Sequence, residues 1–183
     1  MDNLGRQFAN VGFRVLAPVI EDLDALKIST RVIEDITEVI QYLSNQKQWC
    51  PDGKISVFAP SYTAGMSLIA CSKSSVREKI KALCCVGTYA NIESSLRYVL
   101  KKQNIDNYGR LILMKNFLPY VWEDNELMQA IDTAILDNGL KRKNAQLPKV
   151  LQRINPKSRL RFHQLDKEPE FRLEIMQNAI KNY

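Results

Sequence analysis

Three short apolar runs in the first hundred residues have the length and the β-branched, aromatic content of buried strands. Their bounds are Phe13–Val19, Ile55–Ala59 and Ile80–Val86. Apolar residues recur at helical spacing between Val32 and Leu43, and Ala64–Cys71 and Asn91–Lys102 also favour helices. This β-α-β-α-β-α alternation is typical of a parallel sheet with helices on both faces. We therefore expect a three-layer α/β/α fold with a short parallel sheet of about three to four strands.

Helical patterns predominate in the second half of the chain. Helices are predicted over Tyr108–Val121, Asp124–Leu136, Ala145–Ile154 and Pro169–Asn182. The run Leu160–Leu165 favours a brief strand. A chain of 183 residues has the length of one domain. The expectation is a single domain, with a β/α core over residues 1–105 and a helical cap or tail over residues 106–183.

The most informative stretch is Lys54–Ser72, KISVFAPSYTAGMSLIACS. It predicts a buried strand, then a turn over Pro60–Thr63 that carries Ser61, then a helix. This is the layout of a nucleophile elbow, in which a sharp turn lifts a serine above the sheet. Small residues two positions on either side let the strand and the helix approach, and here they are Ala59 and Thr63.

Two stretches carry a resemblance to bacterial α/β-hydrolases. Phe8–Pro18, FANVGFRVLAP, resembles the helix, glycine and strand of that family, and the helix is expected over Leu4–Val11. The elbow reads A-P-S-Y-T-A-G, with Ala59 and Thr63 where the family motif G-x-S-x-G has glycines. The resemblance covers about residues 4–120 and implies an incomplete α/β-hydrolase-like fold. It suggests either a truncated or split hydrolase or a compacted derivative with another role.

The resemblance also implies site residues. Ser61 would be the nucleophile, and the backbone N–H of Tyr62 would donate to the oxyanion. His163 is the only histidine, so any histidine base must be His163. Glu93, just past the third predicted strand, is the candidate acid, with Asp137 as an alternative. The ordinary interpretations are a serine in a turn, a surface histidine and a glutamate favoured by a helix N-terminus.

Positive charge is concentrated at the end of the chain. Residues 140–183 hold eleven Lys or Arg and four Asp or Glu, a net charge of +7. The remaining residues therefore carry a net charge of −1. One interpretation is an anion-binding region for RNA or a membrane surface. A solvated helical surface is the preferred interpretation, because no interleaving of aromatic and basic residues accompanies the charge.

The remaining composition favours a cytoplasmic protein without a metal or cofactor. Four cysteines, Cys50, Cys71, Cys84 and Cys85, show no C-x-x-C spacing and predict reduced thiols. No apolar stretch reaches the roughly 18 residues of a membrane span, and the start of the chain has no secretory signal pattern. There is no metal-ligand spacing, G-x-G-x-x-G or Walker A motif.

Three functions remain open at this point. The chain is a weakly active serine esterase or acyl hydrolase that takes a small-molecule ester or acyl substrate, or it is a catalytically inactive hydrolase-fold remnant or interaction module. The third alternative is an anion- or RNA-binding protein. Self-association is also expected, because the predicted apolar strands Phe13–Val19 and Ile55–Ala59 carry little edge protection.

Overall fold

The structure is a computed structural model that describes residues 2–103, 106–140 and 144–182. It is 64% helical, and the described residues form ten α-helices and two β-strands. The helices are α1 Asp2–Asn10, α2 Glu21–Asp24, α3 Arg31–Ser44, α4 Tyr62–Ser72, α5 Ile92–Lys101, α6 Asn107–Phe117, α7 Asn125–Gly139, α8 Leu147–Arg153, α9 Pro156–Lys167 and α10 Pro169–Asn182. The strands are β1 Ile55–Pro60 and β2 Ile80–Val86. The chain divides into two compact units, residues 1–90 and 91–183.

The first unit contains a two-stranded parallel sheet. β1 and β2 pair in parallel, with α4 as the crossover between them. The register runs from Ser56 opposite Ala82 to Pro60 opposite Val86, with an irregularity after Ile55. The predictions of strands at 55–59 and 80–86 and of a helix between them are confirmed.

The core of the first unit lies on one face of this sheet. Ile40 of α3 and Cys71 of α4 form one buried cluster, against which the strand residues Val57 and Leu83 pack. A second cluster joins Val32 of α3 to Met66 of α4 and Ile20. α3 and α4 therefore cover the same face of the sheet.

The opposite face of the sheet, called the outer face here, is formed by exposed strand residues. They are Ser56, Phe58, Ala82, Cys84 and Val86. The helix predicted to follow the third strand, α5, belongs to the second unit and packs there against α10. The expected three-layer α/β/α fold with three to four strands, an incomplete α/β-hydrolase-like sheet, is therefore wrong: the described residues contain two strands in one sheet.

The strand predicted at Phe13–Val19 is also wrong. This segment has no regular structure, and its apolar side chains are exposed, with Val19 84% exposed. A strand requires a neighbour to receive its backbone hydrogen bonds, and among the described residues the sheet contains only the pair β1–β2, so this segment has no strand partner. Pro18 supplies no N–H for a ladder, while the Arg14 Nη1 group donates to the Gln48 carbonyl oxygen at 2.7 Å.

The second unit is formed by helices. The strand predicted at Leu160–Leu165 is wrong because this run lies inside α9, where residues 158, 162 and 165 are buried at helical spacing. The Asn155 side chain caps this helix by accepting from the Ser158 N–H group at 2.9 Å. The buried core of the second unit includes Leu100, Leu127, Ile131, Ile175 and Met176. In the part of the chain that the structure describes, no helix is long and apolar enough to cross a membrane.

Candidate functional site

Ser61 alone forms the turn between β1 and α4. β1 ends at Pro60 and α4 begins at Tyr62, so the turn is tighter than the predicted four residues. Ser61 has φ 58° and ψ −140°, whereas Asp106, another residue with positive φ, has φ 44° and ψ 60° in the left-handed helical region. A serine in such a sparsely populated conformation costs roughly 1–3 kcal/mol. The surrounding structure must therefore hold this turn in place.

Three hydrogen bonds hold the turn. The Ser61 N–H donates to the Val86 carbonyl at the end of β2 at 2.7 Å, and the Ser61 carbonyl accepts from the Ala64 N–H at 3.0 Å. The Thr63 hydroxyl donates to the Pro60 carbonyl at 2.6 Å. The Ser61 side chain is exposed and does not cap α4. The backbone is thus fixed on both sides of an exposed serine.

Tyr62 is the first residue of α4. Its backbone N–H group lies at the N-terminal, positive end of the helix dipole. The Tyr62 side chain packs against the cluster of Ile20, Val32 and Met66, which fixes the start of α4 on the core. The predicted oxyanion donor therefore follows directly after the serine, on an anchored helix.

Three residues beside this turn, Gly65, Tyr89 and Cys85, were not among the predicted site residues. Gly65 is buried in the first turns of α4, and the ring of Tyr89 lies directly on it. Burial raises the pKa of Tyr89 above its ordinary value. Cys85 also reaches α4, since its Sγ contacts the Ala64 carbonyl at 3.5 Å. A glycine four residues after the serine was the one available signal, because a helix interior disfavours glycine without a packing reason.

The predicted acid and base lie in the second unit. Glu93, in the first turn of α5, accepts from Arg97 Nε at 3.1 Å and Nη2 at 2.9 Å. Asp137 accepts from the N–H groups of Gln146 and Leu147, both at 2.8 Å, and so holds the start of α8. His163 is exposed on α9. The structure thus places Ser61 with Tyr62 in one unit and describes Glu93 and His163 in the other.

A cluster of hydrogen-bonded polar side chains surrounds Asp124 in the second unit. Asp124 caps α7 by accepting from the Leu127 N–H at 3.0 Å, and it also accepts from the Ser158 hydroxyl at 2.7 Å and Arg161 Nη1 at 2.8 Å. Burial opposes ionisation, but these three donors together lower the pKa of Asp124. Arg161 also stacks 4.1 Å from the centre of the Trp122 ring.

An adjoining cavity of about 300 Å³ is lined by side chains of this cluster together with Glu126, Asn155 and Lys157. Glu126 Oε2 accepts from the Asn155 backbone N–H and the Asn155 side-chain amide, both at 2.6 Å. Because these polar groups bond one another, the arrangement fastens α7 to α9.

Several cations of the basic region have internal roles. Arg172 is fully buried and donates to the carbonyl oxygens of Leu100 at 2.6 Å and Leu165 at 2.7 Å, which lie at the C-terminal ends of α5 and α9. Burial, followed by the charge of the neighbouring Arg110, lowers the pKa of Arg172 to about 10. Arg159 donates to the carbonyls of Gln152 and Ile154. Lys141–Lys143, which contribute to the predicted charge, lie outside the described residues.

Comparisons with protein-family models, with curated proteins and with solved structures gave no match. The resemblance to α/β-hydrolases therefore rests on the residues quoted above. Among the described residues, no group of three or more His, Cys, Asp or Glu side chains is placed to hold a metal ion.

Proposed function

We propose that this protein is a serine acyl hydrolase that cleaves small carboxylic esters, with Ser61 as the nucleophile. The observation that carries the proposal is the backbone of Ser61 at φ 58° and ψ −140° in the tight turn between β1 and α4. Strained backbone persists where the surroundings impose it, and it concentrates at active sites. A strained, exposed serine at a strand-to-helix turn is the arrangement that presents a nucleophile in serine hydrolases.

In the proposed reaction Ser61 Oγ attacks the ester carbonyl carbon while its hydroxyl proton passes to a base. The carbonyl oxygen becomes an oxyanion, for which the Tyr62 N–H is the proposed donor. The C–O bond to the alcohol then breaks, the alcohol takes up the proton, and water hydrolyses the acyl-serine. Loss of one oxyanion donor costs roughly 10²–10³ in rate, so a site with a single donor is expected to be slow. Glu93 and His163 stay predictions for the acid and the base.

The proposal includes a cytoplasmic location. All four cysteines are free thiols, and Cys50 and Cys71 are buried. Burial, with a smaller contribution from Cys85, raises the pKa of Cys71, so this thiol is a poor nucleophile near neutral pH. Unpaired cysteines in a folded chain support a reducing compartment.

Labelling with a fluorophosphonate probe tests the proposed nucleophile. Ser61 Oγ would displace fluoride from phosphorus, and its proton would pass to the solvent. We expect mass spectrometry to find the adduct on Ser61, and we expect Ser61→Ala to abolish it. The matched control is Ser72→Ala, which removes an exposed serine at the other end of α4 and should label like the wild type. Folded wild-type protein without an adduct, or equal labelling of Ser61→Ala, would contradict the proposal.

A second candidate is a non-catalytic module that binds a second copy of this chain, and the outer face of the sheet supports it. The Phe8 ring of α1 packs on Phe58 at 5.5 Å between ring centroids and covers part of this face. Phe58 is still 39% exposed and Val86 51% exposed, and the face carries no charged side chain. Parallel sheets are normally covered on both faces. Alkylation of the exposed Cys84 tests this candidate, because association through the outer face should slow the reaction as protein concentration rises. A rate independent of concentration, in protein that light scattering finds monomeric, would count against it.

A further inference from the structure

The contact between Tyr89 and Gly65 leaves no room for any side chain at position 65. A Cβ atom built on Gly65 would lie 2.5 Å from Tyr89 Oη, 2.7 Å from Cε2 and closer still to Cζ, nearer than real Cβ contacts come. Gly65 has no positive φ, so space rather than backbone conformation requires the glycine. The phenol end of Tyr89 therefore touches the backbone of α4 within one turn of Ser61.

Tyr89 belongs to the same short segment that already holds Ser61. β2 ends at Val86, whose carbonyl accepts the Ser61 N–H, and Gly87 with φ 68° then turns the chain. Three residues after Val86, the Tyr89 ring reaches Gly65. The segment 86–89 thus contacts the chain at the strained serine, by a backbone hydrogen bond to Ser61, and four residues later, by the Tyr89 ring on Gly65.

We propose that Tyr89 is a positioning residue that maintains the strained conformation of Ser61; this inference rests on the proposed function. The strain at Ser61 is relieved if the first turn of α4 moves away from the end of β2, because φ can then return to a negative value. The Tyr89 ring, in contact with Gly65, opposes that movement. A tyrosine phenol is neutral near pH 7, so Tyr89 acts by packing rather than by charge.

Three variants separate this role from general packing. Tyr89→Phe keeps the ring contact and removes only the hydroxyl. Tyr89→Ala removes the ring, and Gly65→Ala adds one methyl group that displaces it. The last two change opposite sides of one contact, so a shared effect on Ser61 identifies the contact itself.

The first measurement is amide hydrogen exchange of the full-length protein by NMR. The Ser61 N–H should be protected in the wild type and in Tyr89→Phe, through its bond to the Val86 carbonyl. In Tyr89→Ala and Gly65→Ala we expect that protection to fall while the amides of the β1–β2 ladder keep theirs. Unchanged protection at Ser61 in both variants overturns the proposal. A uniform loss across the ladder also overturns it, because Tyr89 would then support the whole unit.

The second measurement is the rate of fluorophosphonate labelling. Tyr89→Phe should react within about twofold of the wild type, whereas Tyr89→Ala and Gly65→Ala should lose roughly tenfold or more, since misplacement of a reacting group by about 1 Å can cost 10²-fold. The loss should appear in the maximal labelling rate rather than in probe affinity. Wild-type labelling by both variants overturns the positioning role. If the wild type itself is not labelled, the proposed function fails, and the exchange measurement still decides the role of Tyr89.

Discussion

The two compact units differ in how much of their apolar content they bury. Among the described residues, residues 91–183 bury sixteen hydrophobic side chains, thirteen of them Leu, Ile, Met or Phe. Residues 1–90 bury ten, and three of these, Ile20, Ile40 and Met66, are of that size. The first unit also exposes twelve large hydrophobic side chains, against eight in the second. The unit that carries Ser61 therefore has the smaller core.

This contrast separates two ways of using polar groups. In the second unit, Asp124 and Arg172 bond to the ends of several helices and so stabilise the packing. In the first unit the hydrogen bonds around Ser61 maintain a conformation that costs energy. Elements that serve binding or catalysis are commonly drawn from the less stable part of a protein. Substitution of Asp124 or Arg172 should therefore destabilise the second unit, whereas glycine in place of Ser61 should relieve strain in the first.

The largest effect is expected for Arg172→Ala. Removal of the guanidinium leaves buried carbonyls of Leu100 and Leu165 without their donor, and each lost bond to a charged group is worth roughly 1.5–3 kcal/mol. We expect the second unit to lose roughly 3–5 kcal/mol in free energy of unfolding. This loss can be measured by urea unfolding, with Trp122 fluorescence as the signal in a Trp49→Phe background.

The matched control is Lys181→Ala, which removes an exposed cation near the end of the same helix. This variant should stay within about 0.5 kcal/mol of the parent protein. A loss below 1 kcal/mol for Arg172→Ala would show that other donors, or water, reach these carbonyls.

A smaller, pH-dependent effect is expected at Asp124. Asparagine caps helices as well as aspartate does, so Asp124→Asn removes the charge and keeps the cap. At pH 7 the loss should be about 1.5–3 kcal/mol, the range for hydrogen bonds to a charged group. The folded pKa of Asp124 is lowered, so its contribution is present above the unfolded value of 3.8 and is lost as the pH falls through the folded pKa.

The difference between Asp124→Asn and the parent protein should therefore shrink when unfolding is measured at successively lower pH below 3.8. Asp132→Asn is the control, because Asp132 lies on the same helix in a half-exposed ion pair with Lys115 at 2.8 Å. It should cost at most about 1 kcal/mol. A difference for Asp124→Asn that stays constant down to the acid transition would contradict the assigned role of the charge.

Local signals predicted most elements, and the misses have one physical origin. Helix positions follow from apolar spacing and caps within the segment, as at Asn91, whose side chain accepts from the Ser94 N–H at 2.8 Å. A strand depends on a distant partner. The run Phe13–Val19 has strand composition, but no neighbouring strand receives its hydrogen bonds. Counting it as a strand, and expecting α5 to cover the sheet, produced the incorrect three-layer fold.

The candidate site was predictable only in part, for the same reason. The order strand, serine, helix is local, so Ser61 and Tyr62 could be named from the sequence. The contact between Tyr89 and Gly65 joins residues 24 positions apart and needs the fold. Arg172 had a detectable signal, because it occupies the helical stripe of Ile175, Met176 and Ala179 where an apolar residue is expected.

In the first unit, substitution of Ser61 should reveal the strain directly. Glycine tolerates positive φ, so Ser61→Gly should be more stable than Ser61→Ala by roughly 1–2 kcal/mol, after allowance for the flexibility of glycine. Trp49 fluorescence in a Trp122→Phe background reports the unfolding of this unit. At Ser72, within α4, the order should reverse, with alanine favoured by up to about 1 kcal/mol. Alanine favoured at both positions would mean that Ser61 is relaxed in solution.

The smallest effect is expected on the outer face of the sheet. Val86→Thr keeps the β-branched shape and replaces one methyl group with a hydroxyl on a side chain that is 51% exposed, so the free energy of unfolding should change by at most about 0.5 kcal/mol. Leu83→Ala is the inner-face comparison on the same strand, and it should cost roughly 2 kcal/mol or more because Leu83 packs on the Ile40 cluster.

If the outer face instead meets a second copy of the chain, Val86→Thr should weaken association in light scattering and leave the stability of the dilute protein unchanged. A loss above roughly 1.5 kcal/mol in dilute monomer would contradict the exposed outer face, since surface substitutions rarely cost so much. Such a loss would mean that Val86 is buried within the single chain. The core of the first unit would then include Val86, and the two units would differ less in the apolar content that they bury.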